Sequence, residues 1–171
     1  MAMPLNTRTL QLLGTLNVIF GLGVSAMCIL ALGMLLLQRT VMGSLESSPE
    51  FETFERMHAI TASAWIRYMP LGVVLGALFA LSGRWLRSGE PRGKTLAWCV
   101  VLGAAASFAG YAAHLFARAD EVGEAMSGPF LGARGMEGFL VASMIATAAV
   151  VFAYPAVLLF LLRRPFPSST P

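Results

Sequence analysis

Charge is what this chain has least of. Asp, Glu, Lys and Arg make up 12% of its 171 residues, against roughly a quarter in soluble domains. Cysteine is scarce too. Cys28 and Cys99 are the two, and both fall inside apolar runs, which excludes a disulfide framework and leaves them as small packing residues. The two histidines, His58 and His114, form no H-x-x-x-H, and no paired cysteines or mid-run carboxylates stand beside them. A metal centre therefore has no ligand set. Ser-His-Asp groupings, Gly-rich phosphate loops and a CaaX box are missing as well, so catalysis on a soluble substrate is not expected.

What the chain has is length of apolar run. Hydrophobic residues reach 57% with a mean hydropathy of +0.72, and they come in blocks long enough to cross a bilayer, which takes about 20 residues each. One membrane domain fits within this length. The net charge of +3 raises the question of nucleic acid. The basic residues flank apolar runs, however, so they read as topology signals and contacts to anionic headgroups. No nucleic-acid partner is expected.

Spans are expected at about 10–37, 61–81, 96–116 and 137–162. The first is too long for a signal-peptide core, and no A-x-A site follows it, so it reads as retained. A basic loop, 82–95, joins the second and third spans and carries Arg84, Arg87, Arg92 and Lys94. The other connections are 38–60 and 117–136. Ser47-Ser48-Pro49-Glu50 in the former has the chemistry of a helix start, with Pro at the first turn and acids at the positive end of the dipole. That helix is expected to run unbroken into the second span, with Pro70 as a point of bending. Tyr154-Pro155 marks a local kink in the fourth span.

Charge assigns the sides. With both termini and 82–95 inside, the inner side holds seven basic residues and one acid, Glu90, and the outer side five Arg and eight acids. Every inner span end has a basic residue close by, as the positive-inside rule requires. Trp85 and Trp98 lie at the inner boundary and Trp65 near the outer one, as in an aromatic belt. The expected architecture is an all-α four-helix transmembrane bundle, N-in and C-in, in the cytoplasmic membrane of a bacterium.

Each span carries small residues at helical spacing: Gly14, Asn17, Gly21, Ser25 and Cys28; Tyr68, Gly72, Gly76 and Ala80; Cys99, Gly103, Ser107, Gly110 and His114; Gly138, Ala142, Ala146, Ala149 and Ala153. Lipid supplies no hydrophobic drive between helices, so close backbone approach replaces it. Gly14, Gly21, Gly72, Gly76, Gly103, Gly110 and Gly138 are the packing glycines. The simplest expectation turns all four stripes inward; the alternative turns one outward as a contact to a second copy.

Polar residues within spans are functional candidates by default. Arg67 and His114 fall in the outer leaflet, about 21 and 27 Å from the inner ends of their spans at 1.5 Å per residue. A ligand-binding group there would comprise Arg67, His114 and Glu137, with Asn17 deeper, about a third of the way up from the inside. Asn17 reads first as an interhelical hydrogen bond. A haem between His58 and His114 is disfavoured, because His58 lies about 35 Å from its inner span end. No cofactor is assigned.

Three stretches carry a resemblance: RTLQLLGTLNVIFGLG at Arg8–Gly23, SGRWLRSGEPRGKTLAW at Ser82–Trp98, and YPAVLLFLLRRP at Tyr154–Pro165. Together they resemble a loose group of small, largely uncharacterised four-span bacterial membrane proteins. The topology is also similar to that of tetraspan proteins, without their outer cysteines. The resemblance implies the four-span fold and transfers no functional residue. The function expected is a non-enzymatic membrane scaffold, accessory subunit or interaction module, with acidic outer segments at 46–58 and 118–137 meeting a membrane-protein partner or a second copy. The alternative is a small transporter or a ligand- or lipid-binding protein with a site near the outer leaflet.

Overall fold

The structure, a computed structural model, describes residues 6–42, 49–118, 121 and 133–163; the side chains of 39, 42, 49–57, 61, 133–137, 139–140 and 150 lie outside that description. Four long helices carry it: α1 (Thr7–Met42), α2 (Pro49–Arg87), α3 (Pro91–Phe116) and α4 (Ala133–Leu162). Among the described residues there is no strand. Three of these helices are long and apolar enough to cross a membrane, and α4 makes a fourth if its two bent halves count as one span.

Local chemistry explains where the helices begin and end. Asn6 caps α1, its Oδ1 accepting from the Arg8 N–H at 3.2 Å, the usual service of an N-cap side chain to the second helical residue. Pro49 opens α2 as the sequence predicts, and the helix continues through Pro70 to Arg87 without interruption. The acidic stretch 46–58 falls mostly outside the described side chains, as does most of 118–137.

The basic loop expected over 82–95 is much shorter than that. Helix continues to Arg87 and resumes at Pro91, leaving Ser88, Gly89 and Glu90 as the turn. The Glu90 N–H donates to the Trp85 carbonyl at 2.9 Å and the Gly89 N–H to that of Leu86 at 3.1 Å. This pair of bonds is a Schellman cap, which places the residue after the C-cap in the left-handed region. Gly89 has φ of 75°, where a Cβ would be strained. Pro91 then starts α3 at a position that needs no N–H donor.

The α2 helix lies between α1 and α3, antiparallel to both. Gly14 meets Gly83, and Gly21 meets Gly76, along the α1–α2 seam. On the other side, Gly103 meets Leu75 and Gly110 meets Tyr68. The core sits at the basic end, where Leu10 and Leu13 of α1, Phe79 and Leu86 of α2, Ala97, Val100 and Val101 of α3, and Leu158 and Leu162 of α4 cluster. The α4 helix joins this cluster through its last turns and touches α3 through Phe152 against Phe108, ring centroids 5.7 Å apart. Its two halves, Val141–Ala149 and Val151–Leu162, meet at about 40°. Pro155 is the cause: it cannot donate to the Val151 carbonyl, and its ring crowds that oxygen.

Candidate functional site

Asn17 is wholly buried, and so is Ser82. Asn17 Nδ2 donates to Ser82 Oγ at 3.1 Å, and Ser82 Oγ donates to the Phe79 carbonyl at 2.7 Å. From α4, the Tyr154 hydroxyl donates to Asn17 Oδ1 at 2.6 Å, with the Leu13 carbonyl 3.3 Å away. One directional chain, Tyr154 to Asn17 to Ser82 to a backbone carbonyl, thus ties α4, α1 and α2 together. Phe20 and Phe79 enclose the Tyr154 ring, at centroid separations of 5.0 and 6.2 Å. Every polar atom of the node has a partner within the protein. Among the described residues no buried side-chain donor or acceptor lacks a partner.

Sequence reading placed Asn17 in a hydrogen bond but missed its partners. Tyr154 was legible only as part of a kink, and Ser82 as the first residue of a loop. The missed signal was the register of antiparallel helices: with the short turn at 88–90, Ser82 falls level with the first third of α1.

The far end is arranged differently. His114 Nε2 lies 3.2 Å from Ser63 Oγ, whose own proton goes to the Ile60 carbonyl at 2.7 Å. A hydroxyl has one hydrogen to give, so the imidazole donates here from Nε2. Tyr68 packs edge-on to Tyr111, with centroids 5.9 Å apart, and stands 6.4 Å from the His114 ring. Arg67 is exposed and has no hydrogen bond or ion pair with His114. The Glu137 side chain lies outside the described residues. Asn17, level with Ser82, sits nineteen residues along α2 from Ser63, about 28 Å at the helical rise. Of the four candidate ligand residues, Arg67, His114 and Asn17 share no hydrogen bond or ion pair with one another, and the fourth, Glu137, lies outside the described side chains. His58 lies five residues beyond Ser63, about 7.5 Å farther along α2 than the level of His114. Among the described residues no three His, Cys, Asp or Glu gather as a metal site.

The glycine assignments divide sharply. A Cβ on Gly76 would stand 2.5 Å from Ser25 Oγ and 2.9 Å from its backbone nitrogen; on Gly21, 2.5 Å from the Ala80 nitrogen; on Gly72, 2.5 Å from Cys28 Sγ. Gly14 is closed off by the Gly83 carbonyl and Arg87 Cγ, each 2.5 Å from such a Cβ. Gly103 and Gly110 are in tight but lesser contact, 3.1 Å from Leu75 and the Tyr68 ring. Ser25 adds a polar stitch, donating to the Val73 carbonyl at 3.0 Å. Gly138 meets nothing, and Ala142, Ala146, Ala149 and Ala153 are all exposed. The inward stripe expected of α4 is thus turned outward, because the helix is held by Tyr154, Leu158 and Leu162 on another face. Cys99, expected to pack, is exposed too.

Comparison of the chain with protein-family models, with curated proteins and with solved structures gives no match.

Proposed function

We propose that this protein is a non-catalytic membrane interaction module: four spans, both termini and the 88–90 turn on the cytoplasmic side of a bacterial inner membrane, and α4 as the helix that meets a partner. The observation that carries this reading is the outward stripe of α4. Its small residues lie on the surface, whereas the equivalent stripes of α1 and α2 are consumed by each other. Beyond the basic end, α4 is barely covered: Val141 is exposed and Ile145 is 65% exposed. A helix with small residues on one open face can let a neighbouring helix approach closely. The interior is in keeping with this reading, since the polar atoms of the Asn17 node bond one another and the α1–α2 seam is closed by backbone contact.

Cross-linking tests this directly. In a chain with Cys28 and Cys99 replaced by Ser, single cysteines at 142, 146 and 149 should cross-link in native membranes to a second copy or to one other membrane protein. Cysteines at 102 or 29, on exposed faces of α3 and α1, should not. Equal labelling from all positions, or none from α4, would end the reading. The topology is checked by impermeant thiol labelling, with Ser88→Cys expected to react only from the cytoplasmic side.

A further inference from the structure

At the basic end, the start of α1 and the end of α2 frame an open cleft of about 1120 Å³. Arg8, Arg84 and Arg87 all line it, together with Gln11, and no carboxylate is among the described lining residues. None of the three guanidinium groups makes a hydrogen bond or ion pair with a described residue. The acid on the turn, Glu90, has Oε1 3.1 Å from Ser88 Oγ, which also lies 3.0 Å from the Trp85 carbonyl. Three like charges gathered in one cleft, none paired with a described residue, repel each other unless an anion joins them.

Arg87 is also held in place from below. Its Cγ lies over the bare backbone of Gly14, where a Cβ would stand only 2.5 Å away. The seam between α1 and α2 therefore steers this side chain across toward α1, where Arg8 lies. Guanidinium forks match phosphate oxygens two at a time, which favours phosphate over other anions.

The wall of the cleft changes character toward the middle of the helices. Leu12 is 62% and Leu81 38% exposed, and both line the cleft. Beyond Leu12, Ile19 and Leu22 continue an exposed apolar track along α1. A free phosphate would fill a small part of this volume and leave the apolar wall unused. An amphiphile with a phosphate head and acyl chains uses both. Basic clefts between spans at the cytoplasmic boundary are the setting in which anionic lipid heads bind.

We infer that the Arg8–Arg84–Arg87 cleft is a binding site for one anionic phospholipid, its phosphate head held by the three arginines and an acyl chain lying on Leu12 and Leu81. The inference rests on the reading of these helices as membrane spans and is independent of the α4 partner.

The test uses purified full-length protein in a neutral detergent, titrated with phosphatidylglycerol, cardiolipin, phosphatidylcholine or inorganic phosphate. Binding is read by native mass spectrometry and by the melting midpoint. Wild type should take up one anionic lipid and melt several degrees higher, with no response to phosphatidylcholine or phosphate. The triple change Arg8→Gln, Arg84→Gln and Arg87→Gln should weaken anionic lipid binding at least tenfold. Arg92→Gln with Arg163→Gln, which removes charge from the same end but outside the cleft, should leave it within twofold. Gln11→Glu, nearly isosteric and exposed, sets a carboxylate among the arginines and should also weaken binding tenfold; it decides the matter if the triple variant does not fold. Equal loss in the control pair would replace the site with a diffuse basic belt, and a response to inorganic phosphate matching that to lipid would make it a soluble-anion site. Either result overturns the proposal, as does unaltered binding by Gln11→Glu and the triple variant. Release of the wild-type chain from membranes by alkaline carbonate without detergent would instead overturn the membrane reading beneath it.

Discussion

The α1–α2 seam and α4 carry the same sequence device with opposite outcomes. Gly14, Gly21 and Ser25 of α1 lie against Gly83, Gly76 and Val73 of α2, backbone on backbone. Gly138, Ala142 and Ala146 of α4 recur at the same helical spacing and touch nothing comparable. The difference lies in what accompanies the small residues. On the seam, polar side chains are interleaved with them: Asn17 bonds Ser82, and Ser25 bonds the Val73 carbonyl. In lipid such groups gain most by finding each other, so they choose which face of the helix turns inward. The α4 stripe itself, Gly138, Ala142, Ala146, Ala149 and Ala153, contains no polar side chain. Its anchor, Tyr154, points elsewhere and pulls the helix in at the basic end alone.

Breaking the seam should have the largest effect. Gly76→Leu or Gly21→Val drives a side chain into the opposing backbone, which cannot yield as a flexible side chain would. We expect destabilisation at or beyond the upper end of the roughly 1–3 kcal/mol typical of overpacking, seen as loss of the folded species in size-exclusion profiles and heat-release assays. The polar node ranks next. Asn17→Leu and Tyr154→Phe should each cost about 0.6–1.7 kcal/mol, the range for interhelical hydrogen bonds in membranes. Their double mutant should cost less than the sum, since both remove the same bond; additive losses in reversible unfolding would show that the Tyr154 hydroxyl acts through the Leu13 carbonyl rather than through Asn17.

On α4 the comparison predicts a separation of effects. Ala146→Leu should leave the melting midpoint within about 0.5 kcal/mol of wild type, as for surface changes, yet abolish cross-linking from position 149. The smallest effect belongs to Gly23, which has nothing within 4 Å of a built Cβ. Gly23→Ala should be neutral or stabilise by up to about 1 kcal/mol, the helix-propensity difference. A loss there as large as that of Gly76→Leu would dissolve the distinction between seam and surface glycines.

Much of the helical frame was legible in the chain. Pro49 as a helix start, the bend before Pro155 and the membrane-length apolar runs all follow from local chemistry, and each appears in the structure. The turn at 88–90 was legible in principle, with Gly89 just past one helix and Pro91 just inside the next. Its charges disguised it as a longer loop, because Arg84, Arg87, Arg92 and Lys94 are as compatible with helix as with coil. The candidate site fared less well. Arg67 and His114 are close in depth, but depth says nothing of azimuth, and the imidazole turns to Ser63 rather than to the guanidinium.

The sequence by itself determined that this protein is helical and that its helices are long and apolar enough to cross a membrane. Those properties depend on side chains within a few residues of one another. Tertiary structure decided which stripe is seam and which is surface, that Asn17 meets Ser82 and Tyr154, and that Arg8 shares a cleft with Arg84 and Arg87. These pairings join residues 65 or more positions apart. Each depends on how a helix is rotated about its axis, where about 100° separates one residue from the next. Periodicity along one helix cannot encode that rotation, because it is set only when a second helix packs against the first.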